Sequence, residues 1–338
     1  MKAKKYLVML LTVVIMVSIV GCGSNSKTET AKTTDSAAKK DINWPKRTIT
    51  INVGFNAGGD SDYYARVLAR SLEKVLKTNV VVVNTAGVNG QVCARGVLGM
   101  DPDGYNCYFG QTVSLWQEST NLVKDFSFIN DFKFGGTIVQ DKTFCFYMRP
   151  DLGIKNMKDL EKYTIAHPNT LKLGASFGGL GEYMLAQLER NSKITFDQID
   201  VGSSATDMIT AMLNGTLDIN RTNYGNITDY IKTGQFICLG IAADERCPYL
   251  PNVPTLKEQG YDANATKYYF INWPKKTDDA IVKKFNDAMK QVSEMPEFKE
   301  AITRFNGEVM FKTPEEHKAF ATNLVNKMKS VATPAKTK

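Results

Sequence analysis

Two glycine-rich stretches hold the residues best suited to chemistry: Gly54-Phe55-Asn56-Ala57-Gly58-Gly59-Asp60-Ser61-Asp62 and Gly174-Ala175-Ser176-Phe177-Gly178-Gly179-Leu180-Gly181. Each joins a strand-like run to a helix-like run. Glycine bends the backbone without a Cβ penalty and lets a ligand approach the main chain. The unpaired amides of a helix start then favour an anion. Taken alone, the first loop suits a nucleotide, a carboxylate or a phosphate equally. Asp60, Ser61 and Asp62 also suit plain helix capping. Two such loops facing each other across a cleft would clamp a molecule with an anionic group at one or both ends. Two unrelated tight turns are the alternative.

Other chemistries lack material. There are two histidines, His167 before Pro168 in a polar turn and His317 on a charged helix, and both read as solvated surface residues. Ser-His-Asp, Cys-His and HExxH sites therefore have almost nothing to work with. No GxxxxGK[ST] loop occurs, and no spacing singles out a carboxylate pair for acid–base work. The six cysteines contain no CxxC pair, so neither a zinc ribbon nor a thioredoxin-like site is indicated. Cys107, Cys145 and Cys238 sit in apolar runs, where a thiol behaves as a small hydrophobe. No metal or cofactor is expected, and neither is catalysis. The basic residues form no stripe with interleaved aromatics, which argues against nucleic acid.

The elements that would position the loops alternate strand and helix. Thr48–Val53 alternates like a strand, and Val67, Leu68, Leu72, Val75 and Leu76 recur at helical spacing. Val80–Val83 is a β-branched run of the kind buried in parallel sheets. After the Asp101-Pro102-Asp103-Gly104 turn, Tyr105–Phe109 is the next strand. A second series begins after Gln140, with strands at Thr143–Met148, Lys172–Ala175, Leu217–Asn220 and Gln235–Ala243 and a helix over Leu180–Arg190. Ser204 and Asp207 read as a capping box for another helix, closed by Gly215. Thr277–Lys329 reads as amphipathic helices broken at Pro296 and Pro314. The order predicts two α/β lobes, each a mainly parallel sheet flanked by helices. Residues 44–140 plus 241–338 form lobe 1 and residues 141–240 lobe 2, with hinges near Gln140 and Gly240. No fixed-period repeat is present.

The N-terminus carries an address. Lys2, Lys4 and Lys5 precede an apolar run from Tyr6 to Val20, shorter than the roughly 20 residues a membrane-spanning helix needs. Residues 1–21 read as a signal peptide. Loss of its three lysines would take the formal charge from +7 to +4. Ile19-Val20-Gly21-Cys22 is similar to a bacterial lipobox, which implies a lipid on Cys22. The polar Gly23–Lys40 stretch cannot bury enough surface to offset ordering, so residues 22–43 read as a flexible tether. Lipidation would leave five cysteines, an odd number, and at least one thiol unpaired within the chain.

In order along the chain, Trp44-Pro45-Lys46-Arg47-Thr48-Ile49, the Gly54–Asp62 loop, Asn84-Thr85-Ala86-Gly87, Asp101-Pro102-Asp103-Gly104-Tyr105, the Ser176–Gly181 loop and Leu250-Pro251-Asn252-Val253-Pro254-Thr255 resemble the Bug/TctC family. These are extracytoplasmic solute receptors of tripartite tricarboxylate transporters. The resemblance implies a type II Venus-flytrap fold and a small carboxylate held mainly by main-chain amides and hydroxyls rather than by an arginine. It implies integral membrane permease subunits as partners and an extracytoplasmic location, which the lipobox-like sequence makes a lipid-anchored one; a monomer is expected. Carried onto this sequence, the first-lobe contacts are Phe55, Asn56, Ala57, Gly58, Gly59 and Asp62, followed by Gln111 and Thr112. The second-lobe contacts are Ser176, Gly178, Gly179 and Gly181, with Asn223 or Tyr224 bordering the cleft. The sequence departs from the family at Gly54, often proline, and at Tyr183, often histidine. Asn84-Thr85-Ala86-Gly87 replaces Asn-Arg-Pro-Gly, and Gly202-Ser203-Ser204 replaces Tyr-Lys-Gly, so a relative's substrate does not transfer directly. A receptor of this fold serving another transporter or a sensor is the alternative; a secreted enzyme on a related scaffold is a third reading.

Overall fold

A computed structural model describes residues 42–202 and 204–332. The expected signal peptide, Cys22 and nearly all of the expected tether lie outside the described residues, as does Ser203. Among the described residues, no helix is long and apolar enough to cross a membrane.

The first series runs β1 (Ile49–Val53), α1 (Asp60–Leu76), β2 (Val80–Asn84), α2 (Gln91–Leu98), β3 (Asn106–Gln111), α3 (Thr112–Ser119) and β4 (Phe132–Asp141). The second runs β5 (Phe144–Met148), α4 (Met157–Ala166), β6 (Lys172–Ala175), α5 (Leu180–Leu188), β7 (Asp197–Asp200), α6 (Ala205–Leu213), β8 (Ile219–Asn223), α7 (Thr228–Lys232) and β9 (Ile237–Ile241). The chain closes with β10 (Lys267–Pro274), α8 (Asp279–Glu294), α9 (Pro296–Arg304), β11 (Glu308–Lys312) and α10 (Pro314–Lys329). Pro296 and Pro314 each occupy a helix N-terminus, where the missing N–H costs nothing.

One sheet has the order β11-β4-β10-β3-β1-β2 and the other β7-β6-β8-β5-β9. Leaving aside the edge strand β11, both repeat one plan. Two parallel crossovers put the second strand beside the first and the third on its other side, and the strand arriving from the other lobe separates third from fourth. The two-lobed α/β architecture is thus as expected, but the sheets are mixed rather than mainly parallel. β1 pairs in parallel with β2 and β3, and β6 with β7 and β8. The arriving strands β10 and β5 run antiparallel to both their neighbours. Each enters its sheet from the cleft side, opposite in direction to strands that end there.

The chain leaves the first sheet between Asp141 and Phe144 and returns between Ile241 and Lys267. Asp141 is fully buried at the first crossing and accepts from Thr143 N (2.8 Å) and Tyr64 Oη (2.8 Å). On the way back, Tyr261 packs on the second lobe, its hydroxyl donating to Glu161 Oε2 at 2.9 Å. Helix α10 lies on β4 and α3, and its Ala321, Val325 and Met328 share a buried cluster with Leu180 and Tyr183 of α5.

His317 is not the solvated surface residue expected from the sequence. It is wholly buried, with Phe134 and Phe270 ring centroids at 4.8 and 4.6 Å. The charged residues of α10 lie around it in sequence but on the outer face. Burial, with Lys312 adding a smaller repulsion, pushes its imidazole down to about 3. His167 is exposed, as expected. Cys93, Cys107, Cys145, Cys238 and Cys247 are all unpaired.

Candidate functional site

The two glycine loops end on the same local design. In the first, Gly58 takes φ +88° and Gly59 caps α1 in extended geometry. In the second, Gly178 takes φ +74° and Gly179 caps α5 likewise. A left-handed residue is cheap only for glycine. In each loop a carboxylate in the first helical turn reaches back: Gly58 N donates to Asp62 Oδ2 at 3.0 Å, and Gly178 N to Glu182 Oε2 at 2.8 Å. Those two amides, and Asp62, are therefore satisfied within their own loops and do not face the cavity. Gly179 N is likewise taken, by Ser176 O. The next amides, of Asp60 and Ser61 in α1 and of Leu180 and Gly181 in α5, donate to no protein group among the described residues. They are the orphan donors of two helix N-termini.

A cavity of about 70 Å³ lies between the loops. Of the residues expected there, Phe55, Asn56, Gly59, Gln111, Ser176, Gly179 and Gly181 line it. Ala57, Gly58, Asp62, Thr112, Gly178, Asn223 and Tyr224 do not. Ala57 and Gly58 are on the exposed rim. The Thr112 hydroxyl donates to Thr266 O at 3.2 Å and accepts from Tyr268 N at 2.7 Å, which spends it on tying α3 to β10. Tyr224 N bonds back to Thr143 at the crossing. The cleft-facing residues of β8 are Arg221 and Thr222, just before the expected pair.

The lobes touch across this cavity. Asn89 Nδ2 donates to Phe177 O at 2.7 Å, and Ser176 Oγ donates to Asn89 Oδ1 at 2.8 Å. Asn56 N donates to Ser204 Oγ and Asn56 Nδ2 to Asp207 Oδ2, both at 3.4 Å. Ser204 stands at the N-cap position of α6 but its side chain makes no capping bond. The expected capping box is thus not formed; both of its side chains turn toward the other lobe. Ser204, Ala205 and Thr206 wall the cavity, which sequence reasoning missed.

Two buried cations were missed as well. Lys267 Nζ lies 2.8 Å from Asp60 Oδ2, both almost fully buried. Burial alone would raise the Asp60 carboxyl, but Lys267 and hydrogen bonds from Tyr269 and Asn226 outweigh it and hold Asp60 below the ordinary carboxylate value. Arg221 is 5 % exposed. It donates to Gly181 O at 3.1 Å and Gly174 O at 2.5 Å, while its Nε has no partner. Among the described residues no carboxylate is within ion-pair distance of it. Burial pushes it down to about 10, still far above neutral pH. The wall thus carries one neutralised lysine, one guanidinium that makes no ion pair and two sets of free amides. No group of His, Cys, Asp and Glu among the described residues is arranged to hold a metal.

Two α/β lobes enclosing a small cavity between opposed helix N-termini define a cleft-binding protein of the flytrap class. The family described as "Tripartite tricarboxylate transporter family receptor" matches residues 64–335, and the chain belongs to that family. It is 28 % identical over 295 residues to the "UPF0065 protein in gbd 5'region" of Cupriavidus necator, covering 85 % of this chain and 87 % of that one. Its fold is similar to that of MatC from Rhodopseudomonas palustris with bound malate, at TM-score 0.79 and 22 % identity over 85 % of this chain and 99 % of that chain. It is also similar to Rpa4515 of R. palustris with adipate, at TM-score 0.80 and 20 % identity over 86 % and 97 %.

Proposed function

We propose that this protein is a lipid-anchored extracytoplasmic receptor that closes on a small carboxylate and delivers it to a tripartite tricarboxylate-type membrane permease. The observation that carries the reading is the facing of two helix N-termini, with the Asp60, Ser61, Leu180 and Gly181 amides unspent, around one small cavity. Carboxylate oxygens accept such amides, and the helix dipoles favour their charge. Membership of a transporter-receptor family and the malate and adipate in similarly folded proteins support it. The sequence Ile19-Val20-Gly21-Cys22 supports the lipid anchor. Phe55, Asn56, Gly59, Gln111, Ser176, Gly179 and Gly181 contribute the first contacts, and the crossings near Asp141 and Ile241 act as hinges. The receptor works as a monomer, binds without turnover and uses no cofactor.

A thermal-shift screen of the protein against mono-, di- and tricarboxylates tests this. A ligand at 100 times its Kd stabilises the folded state by about 2.7 kcal/mol. The reading predicts such a shift with at least one small carboxylate; no shift with any of them at millimolar concentration refutes it.

A further inference from the structure

Among the described residues, Arg221 is the one cation lining the cleft that makes no ion pair; the Glu182 carboxylate, which acts on it from a distance, accepts from Gly178 N and Trp116 Nε1 instead. Lys267, on the first-lobe side, is already neutralised by Asp60 at 2.8 Å. Arg221 belongs to the second lobe and lies against the start of α5: a Cβ on Gly181 would stand 2.9 Å from its Cζ. It lines the cavity, is 5 % exposed, and keeps an unpartnered Nε. Its two protein bonds go to neutral carbonyls, which take hydrogen atoms but supply no charge. A buried cation in that state is costly, and an anion entering the cleft would relieve the cost. The first-lobe end has amides and a neutral ion pair, so it has no comparable need for charge. The absence of a side chain at Gly181 is what lets the guanidinium reach this place.

We propose that Arg221 is the specificity-determining residue of the cleft and makes its two ends unequal. The second-lobe end demands a carboxylate, whereas the first-lobe end accepts a neutral polar group such as an amide. This rests on the small-carboxylate reading above and goes beyond it by assigning the charge requirement to one end and one side chain.

The test is calorimetric titration with succinate and adipate, the monoamide of each, and the diamide of each. In the unaltered protein the diacid and monoamide bind within about tenfold of each other, and the diamide binds at least 100-fold more weakly than the monoamide. Arg221→Gln lowers the monoamide-to-diamide ratio at least tenfold. Gly181→Ala, whose Cβ displaces the guanidinium, lowers it in the same direction. Arg221→Lys keeps the charge and keeps the preference. A merely structural role would weaken all three ligands alike and leave the ratio unchanged, which overturns the proposal. So does loss of all binding in both Arg221→Gln and Arg221→Lys, or a diamide that binds the unaltered protein as well as the diacid. If the unaltered protein binds none of the six compounds although another small carboxylate shifts its Tm, the inference alone is overturned; if no small carboxylate binds at all, the small-carboxylate reading fails and the inference with it.

Discussion

Replacing Asp60 with asparagine should weaken the fold and strengthen anion binding at once. Asp60 and Lys267 are an almost fully buried pair at 2.8 Å, with side chains 7 % and 10 % exposed. Removing one partner of such a pair costs about 3–5 kcal/mol, because the other charge stays buried alone. Asparagine keeps the shape and can still meet Tyr269 and Asn226, so the low end, about 3 kcal/mol, applies. In a chain of this size that is a drop of about 6–9 °C in Tm. The cleft would then hold two cations without an ion pair. One unit charge removed about 6 Å from a carboxylate is worth up to about 2.8 kcal/mol at an effective dielectric of about 20. The expected gain in dicarboxylate affinity is therefore about tenfold to 100-fold. Differential scanning calorimetry and titration calorimetry on the same samples read both numbers. Adding Lys267→Met should restore most of the lost stability. Unchanged stability together with unchanged or weaker affinity in Asp60→Asn would refute the charge assignment of the cleft.

Three further outcomes are expected. The unfolded chain takes up a proton on His317 below its ordinary 6.5, but the folded chain only below about 3. Stability is thus complete above about pH 6.5 and falls by roughly 1.4 kcal/mol per pH unit between those values. His317→Leu should flatten that part of the pH–stability curve, and a curve of unchanged slope would count against the burial. Gly59→Val should weaken ligand binding at least tenfold with little change in Tm. Its backbone at φ −90° suits valine, but its Cβ points at Ala205 of the other lobe, 3.9 Å away, and the added methyls would hold the lobes apart. Normal affinity in that variant, by calorimetry, would contradict closure at this point. Cys22→Ser should move the protein from the membrane fraction to the soluble fraction; a variant that remains membrane-bound would refute the lipid anchor.

The alternation of strand and helix and the two glycine loops were legible because they are local. A β-branched run, a helical period and a Gly-Gly before an acid each act within about ten residues. The mixed sheets were not legible, since the direction of β5 and β10 depends on which lobe the chain has just left. Nor was the shared strand order, which repeats in space without a repeat in sequence. At the site the pattern is the same. Gly58 and Gly178 were recognised as loop residues, but that Asp62 and Glu182 consume their amides depends on side-chain rotamers. Lys267 meets Asp60 across 207 positions, and Arg221 sits in Ile219–Asn223 with nothing local to mark it as a cleft residue. An arginine in the middle of a wholly buried strand is the one signal that sets it apart. His317 was misread because a neighbourhood of charges in sequence became, after packing, one face of a helix and not the other.

If one carboxylate ligand is held by both helix N-termini together, the amides of both must respond to it. The most direct measurement is a proton–nitrogen NMR titration with the best ligand of the screen, following the amides of Asp60, Ser61, Leu180 and Gly181. Downfield proton shifts are expected in both loops, saturating together at one ligand per chain. Saturable binding that shifts only one loop, or neither, would contradict the joint hold.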